Sequence, residues 1–151
     1  MKKILMVCLG NICRSPLAEG ILQSKLSSQS FFVDSAGTAG YHVGELPDKR
    51  SIEVANKYGI NITDQRSRKF NKSDFKEFDF IFAMDENNYD DIVSMSDNYE
   101  ETQKVKMILN ELYPKENRSV PDPYYGGDQG FENVYRMLDE ACNIIASKLE
   151  K

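Results

Sequence analysis

The residues best placed to do chemistry are contiguous: Cys8-Leu9-Gly10-Asn11-Ile12-Cys13-Arg14-Ser15-Pro16. Five residues separate Cys8 from Arg14. The stretch follows an apolar run and precedes an amphipathic one, so it should join a strand end to a helix start. Gly10 and Asn11 tolerate the positive φ angles that let successive N–H groups point inward. A ring of amides from Leu9 to Ser15, ahead of a helix N-terminus, is a ready anion site. Arg14 adds a planar fork that matches two phosphate oxygens. Cys8 would face the bottom of the ring, where the same positive field favours a thiolate. One short loop could therefore bind a phosphoryl group and attack it. A bland reading competes: a buried cysteine ending a strand and an arginine on the surface. The Cys-x5-Arg spacing alone does not decide between them, but the context does. The Gly-rich phosphate loop that ends in Lys-Ser or Lys-Thr is missing, so phosphate removal fits better than nucleotide binding.

A thiolate nucleophile needs a proton donor for the leaving oxygen. Asp122, in Val120-Pro121-Asp122-Pro123-Tyr124-Tyr125, is the best candidate. Prolines on both sides stiffen the backbone and hold the carboxyl. Tyr124 and Tyr125 can wall a slot for an aromatic group. Read alone, the same residues would be an ordinary Asp-Pro turn with surface tyrosines. The side chain of Ile12 should point past the phosphorus toward the substrate, offering an apolar contact to a phenyl ring. Cys13 lies close enough in the chain to form a disulfide with Cys8 if the loop folds back, which makes the two a redox pair.

The elements that must hold these residues alternate. Ile4–Val7 reads as a buried strand, apolar on both faces. Ser15–Leu26 reads as a helix, with Ser15 able to cap, Pro16 in the first turn, and Leu17, Ala18, Ile21, Leu22 and Leu26 as its stripe. Phe31–Ser35 is a second strand and Gly37–Pro47 a loop. Asp48–Tyr58 is a helix stopped by Gly59. Phe78–Met84 is a third strand, and Asp85–Val93 a helix whose acidic start suits its dipole. Val105–Leu109 is a weaker fourth strand, Glu116–Asp128 a loop, and Phe131–Leu149 the clearest helix. Strands apolar on both faces, alternating with helices, predict an α/β fold: one doubly wound domain with a four-stranded parallel sheet flanked by helices. Ligands in such sheets bind beyond the carboxyl ends of the strands, at the switch point. The loop after the first strand lies there.

Composition narrows the partners. The chain has 151 residues, enough for one domain with a real core. Its 19 Lys and Arg against 24 Asp and Glu give a net charge of −5. An acidic chain with no basic block is a poor partner for nucleic acid or an anionic membrane, so any anion must be held locally. Three cysteines without a paired spacing, and a single histidine, His42, supply no metal-site pattern. The apolar run Ile4–Leu9 is too short for a signal-peptide core or a membrane span. The expected compartment is the cytoplasm, where thiols stay reduced and a cysteine is more often chemical than structural. His42 reads as a polar loop residue, and Cys142, Met6, Met84 and Met137 as core. Asp90-Asp91 and Glu100-Glu101 read as solvated faces.

Together, Val-Cys-Leu-Gly-Asn-Ile-Cys-Arg-Ser-Pro near the N-terminus and Asp-Pro-Tyr-Tyr downstream resemble the low-molecular-weight protein tyrosine phosphatases. The resemblance covers essentially the whole chain, residues 1–151. It implies the phosphotyrosine protein phosphatase I-like fold and metal-independent hydrolysis of protein phosphotyrosine, with no cofactor. It further implies Cys8 as nucleophile, Arg14 as phosphate clamp and Asp122 as general acid, through a phosphocysteine intermediate. Asn11 and Ser35 resemble the pair that braces the loop by hydrogen bonds, and Ser15 the hydroxyl that stabilises the thiolate. Tyr41, Tyr124 and Tyr125 match the aromatics of the slot, and Asp85 resembles a structural Asp. Gln65 departs from the pattern, because many relatives carry His there, which questions any hydrogen-bond role for the position. Bacterial relatives often oppose tyrosine autokinases, a partner class this chain shares by resemblance.

Three rivals come from other classes. Thioredoxin-coupled arsenate reductases need two further mid-chain cysteines, and residues 79–100 have none. Protein arginine phosphatases carry Thr where Ile12 stands and usually lack the paired tyrosines. A non-catalytic phosphotyrosine-binding module would typically have lost the nucleophile or the acid.

Overall fold

The computed structural model describes residues 1–123 and 127–150. Its centre is β1 (Lys2–Cys8), in which Ile4, Leu5, Met6 and Val7 are 0% exposed. Burial on both faces is what a central parallel strand requires, and it explains why this run carries no polar alternation. Ile4, Met6 and Cys8 turn to one layer, Leu5 and Val7 to the other. That two-residue period puts the Cys8 thiol on the same side as the larger core.

The other strands are β2 (Phe31–Gly37), β3 (Phe80–Ala83) and β4 (Val105–Met107), all parallel in the order β2-β1-β3-β4. Cys8 lies opposite Gly37 on β2, and Val7 opposite Ala83 on β3. The chain steps to one side of β1 and then to the other, so the switch point falls at the carboxyl end of β1. The doubly wound, four-stranded parallel sheet expected from the sequence is the one observed.

The helices are α1 (Arg14–Lys25), α2 (Lys49–Lys57), α3 (Asp74–Glu77), α4 (Glu86–Ser94), α5 (Tyr99–Gln103) and α6 (Gly127–Leu149). α1 buries Leu17, Ala18, Ile21 and Leu22 and packs against α6, which contributes Phe131, Val134, Leu138, Ala141, Cys142 and Ile145. Each buried Leu, Ile, Val or Phe among them is worth about 1.5–3 kcal/mol, so this layer is a main source of stability. Phe70, Phe75, Ile81 and Ile92 fill the opposite layer. Among the described residues no helix is long and apolar enough to cross a membrane.

Several boundaries differ from expectation. β1 and β2 are longer, because ladder bonds continue past the apolar run and Gly37 belongs to β2 rather than the loop. β3 starts at Phe80, since Phe78 instead ends the short α3. Asp48 and Asp85 stand outside α2 and α4 as caps, accepting from Arg50 N and Asn88 N. β4 stops at Met107, and a 3₁₀ turn follows over Ile108–Glu111. α6 begins at Gly127, ahead of the expected Phe131. Ser15 does not cap α1. It lies inside the first turn with its hydroxyl turned to the loop. Gly59 ends α2 as expected, at φ 81°.

Candidate active site

Between β1 and α1 the chain closes a loop whose carbonyls are taken from outside. Thr38 N and Ala39 N donate to the Cys8 and Leu9 carbonyls at 2.9 Å each. Ser67 Oγ donates to Gly10 O at 3.0 Å, Asp48 N to Ile12 O at 2.7 Å, and Ser51 Oγ to Cys13 O at 3.3 Å. With these carbonyls drawn outward, the amides are the groups left for the interior, which is the arrangement an anion site needs. Asn11 makes it possible by taking the left-handed conformation, φ 57°, and its amide donates to Cys8 Sγ at 3.3 Å. Gly10 was expected to share that role but has a negative φ. Its missing side chain matters differently, since a Cβ there would lie 3.0 Å from the His42 ring.

The side chains fix the nucleophile's surroundings. Ser15 Oγ lies 3.0 Å from Cys8 Sγ. Asn11 Nδ2 donates to Ser15 Oγ at 2.8 Å and to Ser35 Oγ at 2.9 Å. A hydroxyl oxygen that accepts from Asn11 is free to aim its own hydrogen at sulfur. Arg68 N donates to Asn11 Oδ1 at 3.0 Å, so both ends of the amide are held. Arg68 is itself fastened by Asp34 at 3.2 Å and Asp74 at 3.1 Å.

Arg14 is 6% exposed and enters from the first turn of α1. Its Nη1 donates to Asp85 Oδ2 at 2.7 Å and to the Val120 carbonyl at 3.0 Å. Those bonds use both Nη1 hydrogens and leave Nε and Nη2 as the fork for an oxyanion. Asp85 does two jobs, because its other oxygen caps α4 through Asn88 N at 2.8 Å. The Val120 amide donates to Met84 O at 2.8 Å, tying the segment before Asp122 to the end of β3.

Cys8, Arg14 and Asp122 line one cavity of about 290 Å³. Leu9, Gly10, Ile12, Cys13, Tyr41 and His42 complete its walls. Cys8 is 3% exposed at the base, whereas Tyr41 is 79% exposed at the mouth. Of the aromatics expected to form the slot, Tyr41 is in place, while Tyr124 and Tyr125 lie outside the described residues. His42 was not expected at the cavity. Its Nδ1 lies 2.6 Å from Glu45 Oε2, which orients the ring. Burial, reinforced by Asp48, Cys8 and Asp122 and opposed by Arg14, pushes the Cys13 thiol up to about 12. Cys142, buried in α6, is also pushed up by desolvation and belongs to the core as expected. The doubt about Gln65 is resolved in favour of a bond: its Nε2 donates to Pro16 O at 3.0 Å, at the start of α1. Among the described residues no cluster of His, Cys, Asp or Glu is arranged to hold a metal ion.

Residues 3–151 match the family described as low molecular weight phosphotyrosine protein phosphatase. The chain belongs to that family. A low molecular weight phosphotyrosine protein phosphatase of Schizosaccharomyces pombe is 40% identical over 96% of this chain and 96% of its own length. The human protein of that name is 39% identical over 97% of this chain and 95% of its own. A crystal structure of a protein tyrosine phosphatase from Entamoeba histolytica, with Hepes in the active site, superposes with a TM-score of 0.92. It is 40% identical and covers 99% of this chain and 97% of that one. The chain is thus a phosphotyrosine phosphatase of the low molecular weight class, a hydrolase whose substrates are phosphoproteins.

Sequence reading missed the supports that come from far along the chain. Arg68 and Asp48 act on the phosphatase loop through backbone amides, which leave no side-chain signature, and Ser67 and Ser51 through hydroxyls that no spacing ties to the loop. Glu19 was also missed: it accepts from Ser35 Oγ at 2.7 Å, a contact between α1 and β2 that no local spacing shows.

Proposed function

We propose that this phosphatase hydrolyses protein phosphotyrosine with Cys8 as nucleophile, Arg14 as oxyanion clamp and Asp122 as general acid, without a metal or cofactor. The phosphoryl oxygens enter the ring of amides from Leu9 to Ser15 and meet the free edge of Arg14. The Cys8 thiolate attacks phosphorus in line with the leaving oxygen. As the S–P bond forms, the P–O bond to tyrosine breaks and Asp122 gives that oxygen its proton. Water then attacks the phosphocysteine and passes a proton to the Asp122 carboxylate. The S–P electron pair returns to Cys8, and inorganic phosphate leaves.

One observation carries this reading: Cys8, Arg14 and Asp122 line a single cavity while belonging to different elements. The depth of Cys8 below Tyr41 favours a long aryl phosphate over phosphoserine, and the apolar side chain of Ile12 favours a phenyl ring over a guanidinium. We assign Tyr124 and Tyr125 to the same slot, Ser15, Asn11 and Ser35 to support of the loop, and the whole of residues 1–151 to one phosphatase domain acting in the cytoplasm. A tyrosine autokinase is the partner class we assign to it. We also assign Cys8 and Cys13 as a redox pair: peroxide takes the Cys8 thiolate to the sulfenic acid, and attack by Cys13 sulfur forms the disulfide and releases water.

The test compares p-nitrophenyl phosphate, phosphotyrosine peptides and phosphoarginine peptides, with and without chelator. Turnover of the first two, indifferent to chelator and lost in Cys8→Ser, is expected. Preference for phosphoarginine, or strong inhibition by chelator, overturns the assignment.

A further inference from the structure

The hydrogen bonds around Cys8 extend beyond the loop to a carboxyl on α1. Ser35 Oγ donates to Glu19 Oε1 at 2.7 Å. The chain of contacts runs Glu19–Ser35–Asn11–Ser15–Cys8, with every link at 3.0 Å or less. Its direction follows from two of its groups, because Asn11 Nδ2 can only donate and a Cys8 thiolate can only accept. The two Nδ2 hydrogens of Asn11 are spent on Ser35 and Ser15. Ser35 Oγ, which accepts one of them, must send its own hydrogen onward, and Glu19 takes it. Ser15 Oγ, which accepts the other, sends its hydrogen to the sulfur of a Cys8 thiolate.

We propose that Glu19 is a positioning residue, the terminal acceptor whose bond from Ser35 sets the hydrogen-bond polarity that delivers the Ser15 hydroxyl hydrogen to Cys8. Without that acceptor the Ser35 hydrogen turns back toward Asn11, competes with the amide, and frees Ser15 to rotate away from the sulfur. The carboxyl need not be charged to serve, since the carbonyl oxygen of a protonated acid also accepts. Burial, helped by Asp34 and Asp64 and opposed by the Ser35 hydrogen bond and Arg68, pushes Glu19 up to about 8. Gln65 does not share the role, because its Nε2 donates to Pro16 O and its buried Oε1 accepts no hydrogen bond among the described residues.

The inference rests on Cys8 as the proposed nucleophile, and its test separates the two. Alkylation of Cys8 by iodoacetate, followed by mass spectrometry at pH 6, reads the sulfur's reactivity independently of turnover. Glu19→Ala should slow alkylation by about 3–10-fold, the worth of one hydrogen bond, and lower kcat by a similar factor with little change in KM. Glu19→Gln, which keeps an acceptor oxygen without an ionisable group, should restore both to within about 2-fold. Ser35→Ala should show the defect of Glu19→Ala, and the double variant should be no worse than either, as expected for links of one relay. Circular dichroism and melting curves identify a variant that fails to fold; Ser35→Ala against wild type and Glu19→Gln then decide. Wild-type alkylation in Glu19→Ala, a Glu19→Gln as slow as Glu19→Ala, or full additivity overturns the relay. A Cys8→Ser protein that still turns over substrate would instead sink the nucleophile assignment.

Discussion

A methyl group added to Gly37 tests whether loop shape, rather than any catalytic side chain, limits the rate. Gly37 ends β2 directly opposite Cys8. A Cβ there would sit 2.7 Å from Leu9 O and 3.1 Å from both Ala39 O and Asn11 N. All three atoms are backbone, so no rotamer change relieves the contact. Nor can Gly37 swing away, because its amide donates to Arg68 O at 2.9 Å and its carbonyl accepts from Phe70 N at 2.7 Å. Reaching an ordinary contact requires the loop to retreat by roughly 0.7 Å. A catalytic constellation tolerates only about 0.5 Å, and a 1 Å misplacement costs ~10²-fold. Gly37→Ala should therefore lower kcat by ~10-fold or more, with an overpacking cost of ~1–3 kcal/mol. Each kcal/mol should lower Tm by roughly 2–4 °C for a chain of this size. Gly40→Ala is the control, since its nearest neighbour is a flexible Lys69 methylene at 3.5 Å. Steady-state kinetics on p-nitrophenyl phosphate and thermal melts of both variants decide. Wild-type kcat and Tm in Gly37→Ala would refute the claim that the close approach of β2 sets the loop.

Asp122→Ala should cost ~10²–10⁴ in rate with a phenol leaving group and much less when the leaving group needs no proton; equal losses across a leaving-group series count against Asp122 as the acid. Ile12→Thr should shift the ratio of kcat/KM toward phosphoarginine over phosphotyrosine by ~1–3 kcal/mol, and an unchanged ratio places the side chain away from the substrate. Peroxide should inactivate the enzyme through a Cys8–Cys13 disulfide that dithiothreitol reverses. Because Cys13 is pushed up to about 12, closure should accelerate as pH rises; a Cys13→Ser protein that recovers as fully as wild type removes its protective role. Glu19 also bears on stability. Its folded value, about 8, lies above its ordinary 4.5, so it stabilises the fold fully below pH 4.5 and loses that contribution as pH rises through 8. The urea midpoint should fall between pH 5 and 9 in the wild type, and that fall should flatten in Glu19→Gln.

Periodicity made the long elements legible. β1 shows as an unbroken apolar run, and α1 and α6 show as stripes, because burial imposes those patterns on side chains. The short α3 and α5 escaped because helices of four and five residues span about one turn and have no period to read. α5 is defined instead by the Asn98 side chain accepting from Glu101 N, a local cap rather than a core contact. The loop from Cys8 to Ser15 was legible since its chemistry is contiguous. Its girdle was not: Thr38, Ala39 and Asp48 contribute amides, which every residue but proline has, and only their placement makes them count.

Val120 is held at both of its backbone groups, its amide by Met84 and its carbonyl by Arg14. The proposed phosphate clamp and the strap that carries the proposed acid are therefore one mechanical part. An oxyanion that pulls on the Arg14 fork also loads the Val120 carbonyl and, through the peptide unit, the strap two residues before Asp122. Filling the anion ring would brace the proposed acid without touching it, so deuterium uptake at the Val120 and Asp122 amides should report occupancy of a pocket whose floor lies at the end of β1.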